Sequence, residues 1–324
     1  MKKILITGAA GFIGSHLAEF CVEKGFSVKA FVRYNSKNSW GWLETSEVKN
    51  DIEIFSGDVR DLDSVMDAMK NVDTVFHLAA LIGIPYSYVS PMAYIKTNIE
   101  GTYNILQASR RFDLEGVVIT STSETYGTAQ YVPIDENHPQ VGQSPYSATK
   151  IAADQLAISF YRSFELPVKI IRPFNTYGPR QSERAIIPTI INQILLNKKR
   201  INIGNLHPTR DFTFVKDTVN AFMQIASQPD LFGKAVNVGM NKEISIKDLI
   251  ELISNIMQVN IEFAMEEERS RSEKSEVERL KCDNSLILRN TDWKPRYNLE
   301  TGLRVTIDWL EKHLNYYKSH IYNI

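Results

Sequence analysis

The sequence predicts an α/β chain: a doubly wound parallel sheet followed by a smaller α/β unit. Three observations carry that prediction. A short apolar strand, Lys3–Thr7, runs straight into Gly8, Gly11 and Gly14, and the apolar positions from Phe12 to Val22 then repeat at helical spacing. Further apolar runs at Ser27–Val32, Ile52–Phe55, Val72–Leu78, Val117–Thr120 and Val168–Arg172 alternate with helical stretches, the rhythm of parallel strands joined by crossover helices. Past Arg172 that rhythm loosens into a turn-rich stretch, PFNTYGPR.

Taken in order, strand, glycine turn and helix form the context in which a glycine motif reads as a Rossmann dinucleotide site. Glycines let backbone approach a pyrophosphate, and the helix start supplies N–H donors. Gly8, Gly11, Phe12, Ile13 and Gly14 are the residues concerned, at G-x-x-G-x-x-G spacing rather than G-x-G-x-x-G. The alternative is a turn that binds nothing. The second strand ends in Val32, Arg33, Tyr34, Asn35, Ser36 and Lys37, with no carboxylate until Glu44 to take the ribose diol of NAD. Arg33 in that place can take a 2′-phosphate, so NADP is expected and NAD is the alternative; a solvated surface arginine is the bland reading. NSWGWL (38–43) is core or mouth, and its residues do not decide. Asp58, with Val59, is placed to hydrogen-bond an adenine amino group, against capping of a helix over 61–70. Leu78, Ala79 and Ala80 end the fourth strand with side chains small enough for a cofactor to lie close, a loop over the site follows at 81–91, and a long amphipathic helix at 93–112.

The stretch 117–150 carries the chemistry. A buried strand changes at once to Ser121, Thr122, Ser123 and Glu124, at the strand end where open α/β sheets place ligands. Tyr146 and Lys150 follow, four apart on one helical face if a helix starts at Pro145. An ammonium beside a phenol stabilises phenolate and makes a base of a tyrosine. Alone, Tyr-x-x-x-Lys is a common solvated helix face. In the second half, Asn175, Arg180, Arg210 and Arg271 are candidate substrate-binding residues; Arg210 could instead be a domain-interface ion pair, and Arg271 sits in a charged, aperiodic stretch. Helices are expected at 186–196, 246–257, 283–289 and 299–313, and short strands at 212–215, 235–238 and 261–264. Residues 1–172 therefore form the NAD(P)-binding domain and 173–324 mainly the substrate unit, with segments near 212–238 returning to the first, and the cleft between them.

Composition narrows the rest. At 324 residues the chain has ample core, and its net charge of −1 offers no global field for nucleic acid or membrane. No apolar segment reaches membrane-spanning length, and the short run Ile4–Thr7 before Gly8 leads into a loop rather than a leader's cleavage site. Cys21 and Cys282 suit a reducing cytoplasm, and the six histidines show no ligand spacing, so no metal is expected.

The motifs TGAAGFIG, HLAA, STSETYG, PYSATK, RPFNTYGP and RDFTFVKD, in this order over nearly the whole chain, resemble the extended short-chain dehydrogenase/reductase family. Glu124 after the Ser-Thr pair looks like the nucleotide-sugar 4,6-dehydratases, and Thr122-Ser123-Glu124 is closer to the GDP-mannose than to the dTDP-glucose enzymes. NSWGWL, IPYSYVSP and SEVERL are similar to legionaminic-acid-pathway dehydratases acting on nucleotide-linked N-acetylglucosamine. The resemblance implies that Tyr146 is the base for the C4 hydroxyl, Lys150 holds ribose, Thr122 positions O4, and Glu124 takes the C5 proton, giving a 4-keto-6-deoxy sugar. It also implies that Asn175, Arg210 and Arg271 meet the phosphates of a sugar nucleotide. Ser123 stands where the dTDP-glucose enzymes carry an acid, so either Glu124 or a water held by Ser123 protonates the leaving hydroxyl. The helices at 93–112 and 146–164 resemble those that pair into a homodimer's four-helix bundle. A 4-epimerase or 4-reductase is the alternative enzyme. A regulator that senses cofactor without catalysis is the alternative from another class.

Overall fold

A computed structural model describes residues 2–196, 200–266 and 275–318. Its centre is a seven-stranded parallel sheet: β1 Lys3–Thr7, β2 Ser27–Arg33, β3 Ile52–Gly57, β4 Thr74–His77, β5 Gly116–Thr120, β6 Val168–Pro173 and, from far along the chain, a strand over Ala235–Val238. The spatial order is that last strand, β6, β5, β4, β1, β2, β3, so the winding reverses between β1 and β4. Register is regular across this point: Ile4 lies opposite Val28 on one side and Thr74 on the other. Both faces are covered, which is why β1, β4 and β5 read as near-continuous apolar runs. Leu5, Ile6, Val75, Phe76, Val117 and Ile119 are fully buried, each worth roughly 1.5–3 kcal/mol by transfer.

Helices α1 Phe12–Glu23, α2 Leu62–Met69, α3 Ile84–Val89, α4 Pro91–Tyr94, α5 Gly101–Arg111 and α6 Pro145–Phe164 make the crossovers. The 81–91 segment, expected to be a loop, holds α3: Pro85 at its start supplies a preset φ, and Ser87 Oγ donates to the Ile84 carbonyl at 2.6 Å. The expected helix at 93–112 is interrupted by a π-helical turn, Ile95–Glu100, around buried Asn98. Helix α6 begins with a reciprocal cap between Ser144 and Ser147 and Pro145 in its first turn, and ends at Glu165 in the left-handed region.

After β6 come β7 Asn175–Tyr177, α7 Ile186–Leu195, β8 Arg200–Ile203, β9 Thr209–Arg210, β10 Phe212–Phe214, α8 Val215–Ala226, β11 Ala235–Val238, β12 Ile244–Ser245, α9 Ile246–Met257, β13 Glu262–Met265, α10 Ser285–Asn290 and α11 Leu299–His313. Three two-stranded pairs, β7 with β10, β8 with β13 and β9 with β12, form the smaller unit. Strand β11 is the seventh strand of the main sheet, and α8 packs on α1. One apolar cluster joins Ile4 and Leu17 to Phe222, Ile250 and Leu303, so the two halves share a core.

NSWGWL turns out to brace the glycine turn. Gly41 has φ +58 and lies against Ala10, Trp42 N–H donates to the Ala10 carbonyl at 3.1 Å, and the Trp42 ring packs edge-on against Trp309 of α11 at 5.3 Å. The turn itself leaves no room: a Cβ on Gly14 would lie 2.3 Å from the Gly8 carbonyl oxygen. Gly14→Ala should therefore lower the unfolding free energy by roughly 1–3 kcal/mol, read by denaturant titration, and an unchanged midpoint would contradict this packing.

Candidate active site at the sheet's switch point

Gly8, at φ +71, brings the end of β1 against the backbone at the end of β4, since a Cβ there would meet Ala79 N at 2.8 Å. Gly11 is the N-cap of α1, with no side-chain cap and no acidic residue in the first turn. The first N–H groups of α1 are thus left for a ligand, and the dipole there favours negative charge. These features fit a dinucleotide pyrophosphate. Arg33 is exposed at the end of β2 and near enough to Asp58 to lower its carboxyl, although the larger cause is Arg60. Asp58 accepts from Arg60 Nε at 2.9 Å, while Asp61, not Asp58, caps α2. Val59 is buried against Gly101, and Leu78, Ala79 and Ala80 are half-buried beside the turn.

Under this floor lies His77. Thr7 Oγ1 accepts from the N–H groups of Leu78 and Ala79, both at 3.1 Å, so its proton goes to His77 Nδ1 at 2.8 Å. Nε2 then carries the hydrogen and donates to Thr102 at 3.2 Å. Burial first, and the Lys150 charge second, lower this imidazole to about 3. It is a neutral structural link, not a base.

The chemistry gathers at the end of β5. Thr122 is extended and caps a 3₁₀ turn, Ser123–Tyr126, accepting from Glu124 N–H at 3.2 Å. That turn puts buried Ser123 and half-buried Glu124 at the strand end. Tyr146 and Lys150, both buried, face it from α6. Burial pushes the Tyr146 phenol well above the ordinary phenol range; a hydrogen bond from Thr122 opposes this, and the neighbouring Glu124 and Tyr94 add to it. Lys150 Nζ donates to the Thr120 carbonyl at 2.5 Å, and burial lowers it to about 8 against the pull of Asp154. In the free chain the largest influence on the Tyr146 phenol is thus burial, followed by the Thr122 hydrogen bond.

A family model described as GDP-mannose 4,6 dehydratase matches residues 5–306. The chain belongs to this nucleotide-sugar dehydratase and epimerase family. A putative UDP-glucose 4-epimerase of Methanocaldococcus jannaschii is 30% identical over 95% of this chain and 98% of its own. The dTDP-D-glucose 4,6-dehydratase of Dictyostelium discoideum is 34% identical over 79% of this chain and 62% of that one. A solved UDP-glucuronic acid 4-epimerase from Bacillus cereus, in complex with UDP-glucuronic acid and NAD, superposes with a TM-score of 0.86 at 27% identity, covering 96% of this chain and 99% of that one.

Among the described residues expected to bind substrate in this dehydratase and epimerase family member, Asn175 offers an unsatisfied group: its Oδ1 is buried without a hydrogen bond. Arg180 is otherwise engaged. Its guanidinium forks onto Glu19 of α1 at 2.8 and 3.0 Å and reaches Ser15 at 3.2 Å, while His16 bonds the Pro179 carbonyl, so Arg180 straps the start of the smaller unit to α1. Arg210 pairs with Glu276 at 3.2 Å, a contact between two residues of the 173–324 half rather than one across the two expected units. Arg271 lies outside the described residues.

Several site residues carried no recognisable motif. Tyr94 lies edge-on to Tyr146 at 6.3 Å, and Arg184 is close enough to oppose the burial that raises Tyr94. Asn98 donates to the Leu81 carbonyl and to Thr149 Oγ1, both at 3.0 Å, tying the segment after β4 to the turn of α6 that holds Tyr146. Asp154 and Arg172 form a buried pair at 2.9 Å. A charge closing the apolar strand VKIIRP, and an acid four residues past Lys150, were the available signals.

Two outcomes follow from this geometry. Arg180→Met should cost roughly 1–3 kcal/mol of stability by leaving Glu19 unpaired and leave the substrate KM unchanged; a raised KM at unchanged stability would return Arg180 to substrate binding. Lys150 falls from 10.5 to about 8 on folding, so between those values the folded chain has shed a proton the unfolded chain keeps, and stability rises with pH across that window. Lys150→Met removes this dependence. Its stability relative to wild type should be more favourable at pH 7 than at pH 10, by up to about 3 kcal/mol at 1.36 kcal/mol per unit, measured by paired denaturant titrations; the reverse order would refute the burial of a charge.

Proposed function

We propose that the protein is a nucleotide-sugar 4,6-dehydratase acting on a nucleotide-linked N-acetylglucosamine. The observation that supports this most is the placement of Glu124 on a turn capped by Thr122, close enough to Tyr146 to raise its phenol. A carboxylate beside the C4 base is what proton removal at C5 needs, whereas exchange of configuration at C4 alone does not call for it.

In this reading Tyr146 takes the proton of the C4 hydroxyl, and Thr122 holds O4 while it becomes a carbonyl. A dinucleotide held by the glycine turn, Ala79 and Lys150 supplies the hydride acceptor for C4 and the hydride donor for C6, and in its oxidised form adds positive charge that favours phenolate. The C4 ketone acidifies C5–H, and Glu124 removes that proton. Glu124 then delivers it to the departing C6 hydroxyl, which leaves as water, because a buried serine at position 123 is a poor acid. C5 regains a proton from solvent, and the product is a 4-keto-6-deoxy sugar. Asn175 and Arg210, with Arg271, are the groups for the diphosphate, Arg210 exchanging Glu276 for phosphate. Tyr103 on α5 and Phe164 on α6 are exposed aromatics that flank the Phe160 ring where the two helices meet, which supports a homodimer through a four-helix bundle. The free, buried cysteines are consistent with a cytoplasmic enzyme, and among the described residues no helix is long and apolar enough to cross a membrane.

Turnover in heavy water should place deuterium at C5 of a 6-deoxy product, and Glu124→Gln should lower its formation about 10²–10⁴-fold while C4 oxidation persists. An inverted C4 with no C5 label would move the assignment to a 4-epimerase, the activity named for the Methanocaldococcus and Bacillus cereus relatives. Relatives of known structure hold NAD, while Arg33 without a nearby ribose carboxylate favours NADP in this chain. Isothermal titration should find NADP bound more tightly, with the difference lost in Arg33→Ala; equal affinities for wild type would exclude the preference.

A further inference from the structure

Below the site, four buried side chains from four elements make one polar unit. Arg172 of β6 donates through Nε to Asp154 Oδ2 at 3.0 Å and through Nη1 to the Tyr126 hydroxyl at 2.8 Å. Tyr126 donates in turn to Asn237 Oδ1 at 2.8 Å, and Asn237 lies directly opposite Arg172 in the β6–β11 register. Ser121, the residue before Thr122, donates to the same Asp154 oxygen at 2.9 Å. Gln140 adds a long contact to it at 3.5 Å, and Asp154 Oδ1 is buried without any hydrogen bond. None of Tyr126, Asp154, Arg172 and Asn237 is more than 3% exposed.

Stability alone accounts poorly for this arrangement, because an apolar cluster of the same volume usually serves a core as well as a buried ion pair. Its directions are informative. Tyr126 closes the 3₁₀ turn that carries Ser123 and Glu124, and Asp154 lies one helical turn beyond Lys150 on the helix that carries Tyr146. Arg172 therefore bridges the two pieces of chain that bear the two bases, and β11 backs it from the far side through Asn237. Ordinary apolar packing would hold both pieces near the site but would not fix the angle of the turn against the helix.

We propose that Tyr126, Arg172 and Asp154 act as positioning residues that hold Glu124 in register with Tyr146, so that elimination follows C4 oxidation. The proposal rests on the dehydratase reading above. Oxidation needs Tyr146 and the hydride acceptor, whereas elimination also needs the Glu124 carboxylate at C5, and a misplacement near 1 Å can cost about 10²-fold. Loosening the bridge should slow the second step and spare the first.

The test uses the full-length enzyme carrying Tyr126→Phe, which keeps the ring and removes only the hydroxyl. Single-turnover experiments with bound cofactor read C4 oxidation from reduced-nicotinamide absorbance, and elimination from C5 deuterium and 6-deoxy product. The expected result is a ratio of elimination to oxidation rates lowered about 10-fold or more, with reduced cofactor accumulating and KM unchanged. Ser121→Ala, which removes one donor to Asp154, should give the same split with a smaller ratio and serves if Tyr126→Phe folds poorly. Equal losses in both steps, or no loss in either variant, would reduce the unit to a structural one and overturn the proposal. If wild type itself gives no C5 label and no 6-deoxy product, the dehydratase reading fails first, and the proposal with it.

Discussion

Every strand of a parallel sheet ends at the same edge, and this sheet is covered on both faces. Polar chemistry can gather only where the strands stop. Gly8 after β1, Arg33 at the end of β2, Asp58 after β3, Ala79 after β4 and Thr122 after β5 all fall on that edge. The reversal of strand order between β1 and β4 opens the crevice there, because the helices that follow these two strands lie on opposite faces. Gly8 keeps the crevice narrow by allowing backbone against backbone at Ala79. The rest of the molecule can be understood as support for that edge.

The support comes from two directions. On the cofactor side, the Trp40–Thr45 segment hooks onto Ala10 and leans on α11, so the glycine turn is backed by the C-terminal helix rather than by its own domain alone. On the catalytic side, charges that seem misplaced in a core hold the turn after β5 against α6. His77 belongs to the same logic. Burial keeps it neutral, Thr7 and Thr102 dictate its tautomer, and it links the ends of β1 and β4 to α5 without taking part in proton transfer. Buried polar groups with every direction accounted for define geometry more sharply than apolar contacts do.

Membership of a family that contains dehydratases, epimerases and decarboxylases shows how little the fold decides about the reaction. In the dehydratase reading proposed for this chain, the reaction turns on Glu124 and on how firmly it is held.

Period and punctuation in the sequence determined the central sheet, the glycine turn and the set Thr122, Glu124, Tyr146 and Lys150, because strand runs, helix caps and turn glycines are local signals. The helix at Ile84–Val89 and the π-helical turn at Ile95–Glu100 escaped that reading, since Pro85 and Pro91 looked like loop punctuation and a π turn has no local signature. Partners were the other blind spot. Arg180 read as a substrate-binding residue and Arg210 as a phosphate partner, and in the free protein they are ion-paired to Glu19 and Glu276, 161 and 66 residues away in sequence. Asp154, Arg172, Tyr126 and Asn237 became a unit only when four elements met. A charged side chain's role depends on what lies within a few ångströms of it, and that distance is set by the tertiary fold, not by the order of residues along the chain.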